Sequence, residues 1–178
     1  MTPRAWLRVA AVVCVMLFVQ EAVLNVLVLG GAHPDGFLLL AVAAGLIAGP
    51  QRGAVIAFAI GLVADLFVLT PFGLSSLVYV LVAFGAGSLA SIPGGRAPIS
   101  FQMMAAFAGG VAGTLLFEGI GVLIGQPRLP GHELVAVVAV VSISNAALII
   151  PATAAMSRAI NIGPSRDLAG VSGGSAAR

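Results

Sequence analysis

The chain has no lysine, and only 8% of its 178 residues are charged. A water-soluble domain carries about 25% charged residues. This sequence therefore cannot cover itself with a solvated surface, which excludes a free-standing soluble domain. Cysteine occurs once, as Cys14, so an intramolecular disulfide is impossible, and a reduced thiol inside an apolar run packs as a small hydrophobe. Without lysine the glycine-rich segments cannot be P-loops. Ser75 and Ser76 lie in no G-x-S-x-G and have no partnered histidine nearby, which argues against a serine hydrolase. The two histidines, His33 and His132, lack H-x-x-x-H or H-E-x-x-H spacing, so neither a metal nor another cofactor is expected. Aromatic groups that could line a ligand pocket are scarce, with one Trp and one Tyr.

What is present is apolar surface. The chain is 60% hydrophobic and its mean hydropathy is +1.16. Runs of ~20 apolar residues satisfy their own backbone in a bilayer only as helices, and no alternating barrel pattern is visible. The expectation is an all-α, polytopic integral membrane protein. Six spans are read at about 5–29, 34–48, 53–69, 74–91, 98–124 and 133–156, forming one transmembrane domain over 1–158. Gly30-Gly31, Gly49-Pro50, Pro71, Pro93-Gly94-Gly95 and the stretch from Pro127 to Gly131 break the runs. The second span is short, ~22 Å if helical, and must be shallow or embedded. The first run exceeds signal-peptide length and no small-x-small site follows it, so it reads as a retained span. Residues 159–178 read as a disordered cytoplasmic tail.

Arginine placement orients the bundle. With the amino terminus inside, Arg4, Arg8, Arg52, Arg96, Arg158, Arg166 and Arg178 are cytoplasmic and Arg128 alone is outside. That bias calls for an even number of crossings with both termini in the cytosol. Arginines scattered singly through short loops fit orientation rather than nucleic-acid binding, and no nucleic-acid partner is expected.

The stretch from Gly53 to Tyr79 carries the densest signal. Gly53, Ala57, Gly61 and Asp65 fall four apart, a narrow small-residue stripe ending in a carboxylate. Facing lipid, that charge costs at least ~2.5 kcal/mol, so Asp65 turns towards protein. Ala106, Gly110, Thr114 and Glu118 repeat the pattern in the fifth span. Glu21 pairs with Asn25 at i,i+4, and Asp35 follows Pro34 at a helix start, where capping alone accounts for a carboxylate. Asp65 lies ~18 Å from the cytoplasmic start of its span and Glu118 ~30 Å from the start of its own. Glu21, Asp35, Asp65 and Glu118 thus gather towards the outer face, with Asn25 and Tyr79 completing a candidate polar cluster for a partner or ligand. Tyr79 and Trp6 also suit aromatic anchoring at the two interfaces. A proton relay needs groups along the whole depth, and the inner half offers only Gln102.

Pro34-Asp35 opening a leucine-rich second span, Gly49-Pro50-Gln51-Arg52-Gly53 at the inner turn, Gly61-Leu62-x-x-Asp65-Leu66, and Pro71-x-Gly73-Leu74-x-x-Leu77-x-Tyr79 resemble the rod shape-determining protein MreD family. The layout is similar over about 5–158, with the specific motifs confined to 34–79. The chain departs in Gly36-Phe37 and in its glycine-rich fifth span. The resemblance implies a non-enzymatic scaffold of the bacterial cell-elongation machinery in the plasma membrane. Its implied partner is a single-pass MreC-like protein, and through it MreB, RodA and a class B penicillin-binding protein of peptidoglycan synthesis. It also implies a fold like that of the substrate-binding S-components of energy-coupling-factor transporters. A small-molecule-binding subunit of such a transporter is therefore the alternative. On the scaffold expectation, Asp65→Leu leaves insertion intact and weakens copurification with the partner.

Overall fold

The structure, a computed structural model, describes residues 3–28, 31–67, 71–90 and 97–160, and among these it is helical with no strand. Helix α1 (Pro3–Val19) ends in a π-helical turn, Gln20–Leu24. It is followed by α2 (Gly36–Asp65), α3 (Leu74–Leu89), α4 (Ile99–Leu123) and α5 (Gly131–Ile160). Four segments are long and apolar enough to cross a membrane: Pro3–Leu24, Gly36–Asp65, Ile99–Leu123 and Gly131–Ile160, with α3 a shorter apolar helix. The chain is a membrane protein built from helices.

The expected second and third spans are the two limbs of α2. They are separated by one residue, Gly49, whose φ of 79° and ψ of 176° interrupt the helix. Only glycine adopts that backbone readily, and Pro50, which has no N–H to donate, then occupies the first position of the second limb. A Cβ on Gly53 would lie 2.6 Å from the Gly45 Cα. Eight residues span ~12 Å along a straight helix, so the chain doubles back and 50–65 lies against 36–48. Pro34 falls outside the helix rather than in its first turn, because Asp35 takes the capping position. The second limb ends at Asp65, short of Leu69, and 68–70 lie outside the described residues. At the other end of the chain, α5 continues to Ile160. The expected tail lies outside the described residues from 161 onward.

Every residue from Gly36 to Gly45 is buried, as befits a helix that is hydrophobic all round. This first limb is the centre of the bundle. Helix α2 packs most extensively on α3, and α4 on α5, while α1 inserts only the stripe Ala5, Val9 and Val13. The core is rich in alanine, with Ala41, Ala43, Ala44, Ala57, Ala83 and Ala106 fully buried. Leu7, Phe18, Met104 and Val135 point outward instead. Small residues inside and bulky apolar ones outside are the distribution of helices packed in lipid, where close approach rather than water exclusion holds them together. Cys14 is among the exposed residues of α1.

Charge is segregated along the bundle. Arg4 and Arg8 lie on the first turns of α1, Arg52 just after the Gly49 break, and Arg158 in the last turn of α5. Trp6 and Arg52 line one hollow, which places the start of α1 beside the break. The described acids, Glu21, Asp35, Asp65, Glu118 and Glu133, lie at the opposite end, together with Arg128 in the connection between α4 and α5. Arg96, Arg166 and Arg178 are outside the described residues.

Candidate functional site

Helix α3 starts without a cap of its own. Gly73 precedes it with φ 98° and has no side chain to offer the first free amides. Asp65, the last residue of α2, supplies that acceptor from the neighbouring helix. Its Oδ2 accepts from the Gly73 N–H (3.0 Å), the Ser76 N–H (3.3 Å) and the Ser76 hydroxyl (2.9 Å), and its Oδ1 from the Ser75 N–H (3.0 Å). A carboxylate at a helix N-terminus is favoured by both the free amides and the helix dipole. Gly61, one turn earlier, brings the two helices together, since a Cβ there would overlap the Ser76 backbone. Asp65 is 5% exposed.

Asp35 caps α2 directly. Its Oδ1 accepts from the Phe37 N–H (3.0 Å) and the Leu38 N–H (2.9 Å). Its Oδ2 accepts from the Tyr79 hydroxyl at 2.9 Å, across 44 residues of sequence. Tyr79 is therefore buried inside the bundle, not displayed at an interface as an anchor. Gln20, which sequence reasoning passed over, fastens the π-helical turn to the same place. It donates through Nε2 to the Pro34 carbonyl (3.0 Å) and accepts at Oε1 from the Gly36 N–H (2.9 Å). The extra residue of the π-helical turn has no signature in composition or periodicity.

Behind the Asp35–Tyr79 pair is a cavity of about 230 Å³ between α2, α3, α4 and α5. Asp35, Tyr79, Ser75, Thr114 and the exposed His33 supply its polar groups, and Leu38, Val78, Phe117, Val137 and Val141 its apolar walls. A larger cleft of about 360 Å³ opens between α1, α2 and α5, but no polar side chain lines it. Of these two hollows, only the smaller has polar side chains in its lining.

The remaining expected site residues fall around this centre. Glu21 and Asn25 are exposed, with Asn25 donating through Nδ2 to Glu21 Oε2 at 3.1 Å and accepting from Gln20 at 2.9 Å. Glu118 does not repeat the Asp65 arrangement. It is half-buried, and its Oε1 accepts from the Leu129 N–H at 2.8 Å, bracing the connection to α5. The stripes separate by neighbour. Gly53 meets the first limb of α2 and Gly61 meets α3, with Ala57 buried between them. Ala106 is buried, Gly110 abuts Ser142 of α5, and Thr114 lines the cavity. Gln102, at the arginine end, donates to the Ala97 carbonyl and accepts from Thr153. His132 lies 3.9 Å from Glu133, both well exposed. Among the described residues no three His, Cys, Asp or Glu side chains come together as a metal site.

No family model, curated protein or solved structure matches the chain. Function must be argued from the arrangement itself. What that arrangement can do is hold three helical limbs rigidly and present a carboxylate and a phenol at the floor of a small apolar recess.

Proposed function

We propose that the chain is a scaffold subunit of MreD type in a bacterial cell-elongation complex, without catalysis of its own, which binds an MreC-like single-pass partner in the plasma membrane. The supporting observation is the meeting of residues that carry the resemblance. Asp35, Asp65, Gly73 and Tyr79 come from three separate motifs and share one end of one block, joined by the Asp35–Tyr79 and Asp65–Gly73 hydrogen bonds. The fourth motif, Gly49 to Gly53, makes the turn at the other end of the same block. Residues this far apart in sequence have no local reason to co-occur, whereas one shared structural unit supplies a reason.

In this reading the two limbs of α2 each cross the bilayer, giving six spans with both termini in the cytosol. The arginine end is the cytoplasmic one. The first limb is too short for a ~30 Å core by itself, and it is tolerated because its neighbours surround it. Coexpression with an MreC-like protein, followed by affinity capture in mild detergent, is expected to recover a stable complex. Capture of the chain alone overturns the proposal. The alternative is a small-molecule-binding subunit of an energy-coupling-factor-type transporter, for which the cavity beside Tyr79, at about 230 Å³, is small. Copurification with transporter ATPases instead of an MreC-like protein would decide for it.

A further inference from the structure

Among the described residues no cation pairs with the Asp35 carboxylate, although His33 lines the same recess. Among the described residues the one ion pair is His132 with Glu133, and no arginine or histidine lies within 4.0 Å of Asp35. Among the described residues its Oδ1 accepts from two amides and its Oδ2 from the Tyr79 hydroxyl alone, so an ionised carboxylate keeps room for another donor there. Glu21, Asp65, Glu118 and Glu133 lie at the same end of the bundle, against Arg128. That imbalance attracts positive charge.

The walls restrict what kind of cation fits. Calcium takes about six to eight oxygen ligands and zinc about four ligands, whereas among the described residues no three His, Cys, Asp or Glu come together and this recess is walled mainly by Leu38, Val78, Phe117, Val137 and Val141. Apolar walls around one carboxylate suit a cation carried on a hydrocarbon stem. The volume restricts it further. At about 230 Å³ the recess is smaller than the roughly 300–1,000 Å³ of small-molecule sites. It is, however, commensurate with one long side chain.

We propose that this recess receives a single arginine or lysine side chain from the extracytoplasmic segment of the membrane partner, its stem along Leu38, Val78 and Phe117 and its charged head on Asp35. The inference rests on the scaffold reading and identifies the chemistry by which that scaffold selects its partner. Charge complementarity in a poorly hydrated recess gives specificity as well as affinity.

The test uses the intact chain and the MreC-like protein in detergent, with affinity measured by titration. Asp35→Asn removes the charge but keeps an efficient helix cap, and Val137→Phe fills the recess from α5 with Asp35 intact. Each is expected to weaken binding by about tenfold or more while the unfolding temperature of the isolated chain stays within a few degrees. Each juxtamembrane arginine or lysine of the partner is then changed to glutamine. One of these is expected to give the same loss, and combining it with Asp35→Asn should add nothing further. If the parent chain captures the partner and both variants bind it as tightly, the recess proposal is overturned and the scaffold reading stands. If the parent chain captures nothing, both fall. Binding lost equally to every partner substitution, with additive losses in combination, also overturns the side-chain pairing.

Discussion

Asp35 caps the helix it precedes, and Asp65 caps the helix that follows its own. The second arrangement makes Asp65 a tether as well as a cap, because three amides and a hydroxyl of the 73–76 turn depend on it. Hydrogen bonds to a charged group contribute about 1.5–3 kcal/mol each at most. Asp65→Asn is therefore expected to lower stability by about 2 kcal/mol, and Asp65→Ala by more, since it leaves buried donors unpaired. Thermal unfolding in detergent followed by size-exclusion chromatography measures both. Any loss of partner binding in Asp65→Leu should accompany this instability, as the side chain reaches no surface. The inward turn of Asp65 was legible in the sequence from the cost of a charge in lipid. Its partners were not, because Gly73 reveals nothing about who caps α3. Tyr79 was read both into the outer polar cluster and as an interfacial anchor, because its depth along the span is legible while its facing is not; it lies beside Asp35 in the recess. Tyr79→Phe is expected to cost about 1–2 kcal/mol in the same assay through the lost bond to Asp35.

At the scale of elements, close approach is carried by particular glycines rather than by glycine content. Gly61 touches the Ser75–Ser76 backbone, while Gly119 on α4 has open space where a Cβ would go. Gly61→Ala is expected to destabilise by about 1–3 kcal/mol through overpacking. Gly119→Ala should be neutral or stabilising by up to about 1 kcal/mol, since alanine is the better helix former. The pair of variants, compared by thermal unfolding, separates packing from propensity. Equal effects would remove the stripe from the packing account. Spacing of four made the stripes visible in the sequence, but assigning Gly53 to one neighbour and Gly61 to another required the doubled-back α2. Glu118 shows the limit of the pattern. A similarly spaced small-residue stripe precedes it, yet it lies on the last turns of α4, where it accepts from the Leu129 amide of the loop.

For the whole molecule, the separation of arginines from acids predicts an accessibility pattern. Cys14 is the single cysteine, so Cys14→Ala provides a background for single-cysteine labelling. Gln51→Cys and Ser157→Cys are expected to react with a membrane-impermeant maleimide only when the cytoplasmic face is open, and His132→Cys from outside intact cells. Labelling of positions 51 and 132 from the same side would contradict the six-span topology. Helical, membrane-embedded character followed from the sequence alone, because a chain with this little charge and this much apolar surface has no stable alternative outside lipid. The break at Gly49-Pro50 followed too, since it acts locally, through backbone geometry and a missing donor, whereas the ends of α2 at Asp65 and of α5 at Ile160 did not. Which residues meet was decided only by the tertiary structure. Asp35 and Tyr79, or Gln20 and Gly36, are joined by packing that brings distant segments to one end of the bundle, and no local pattern records a contact made through space.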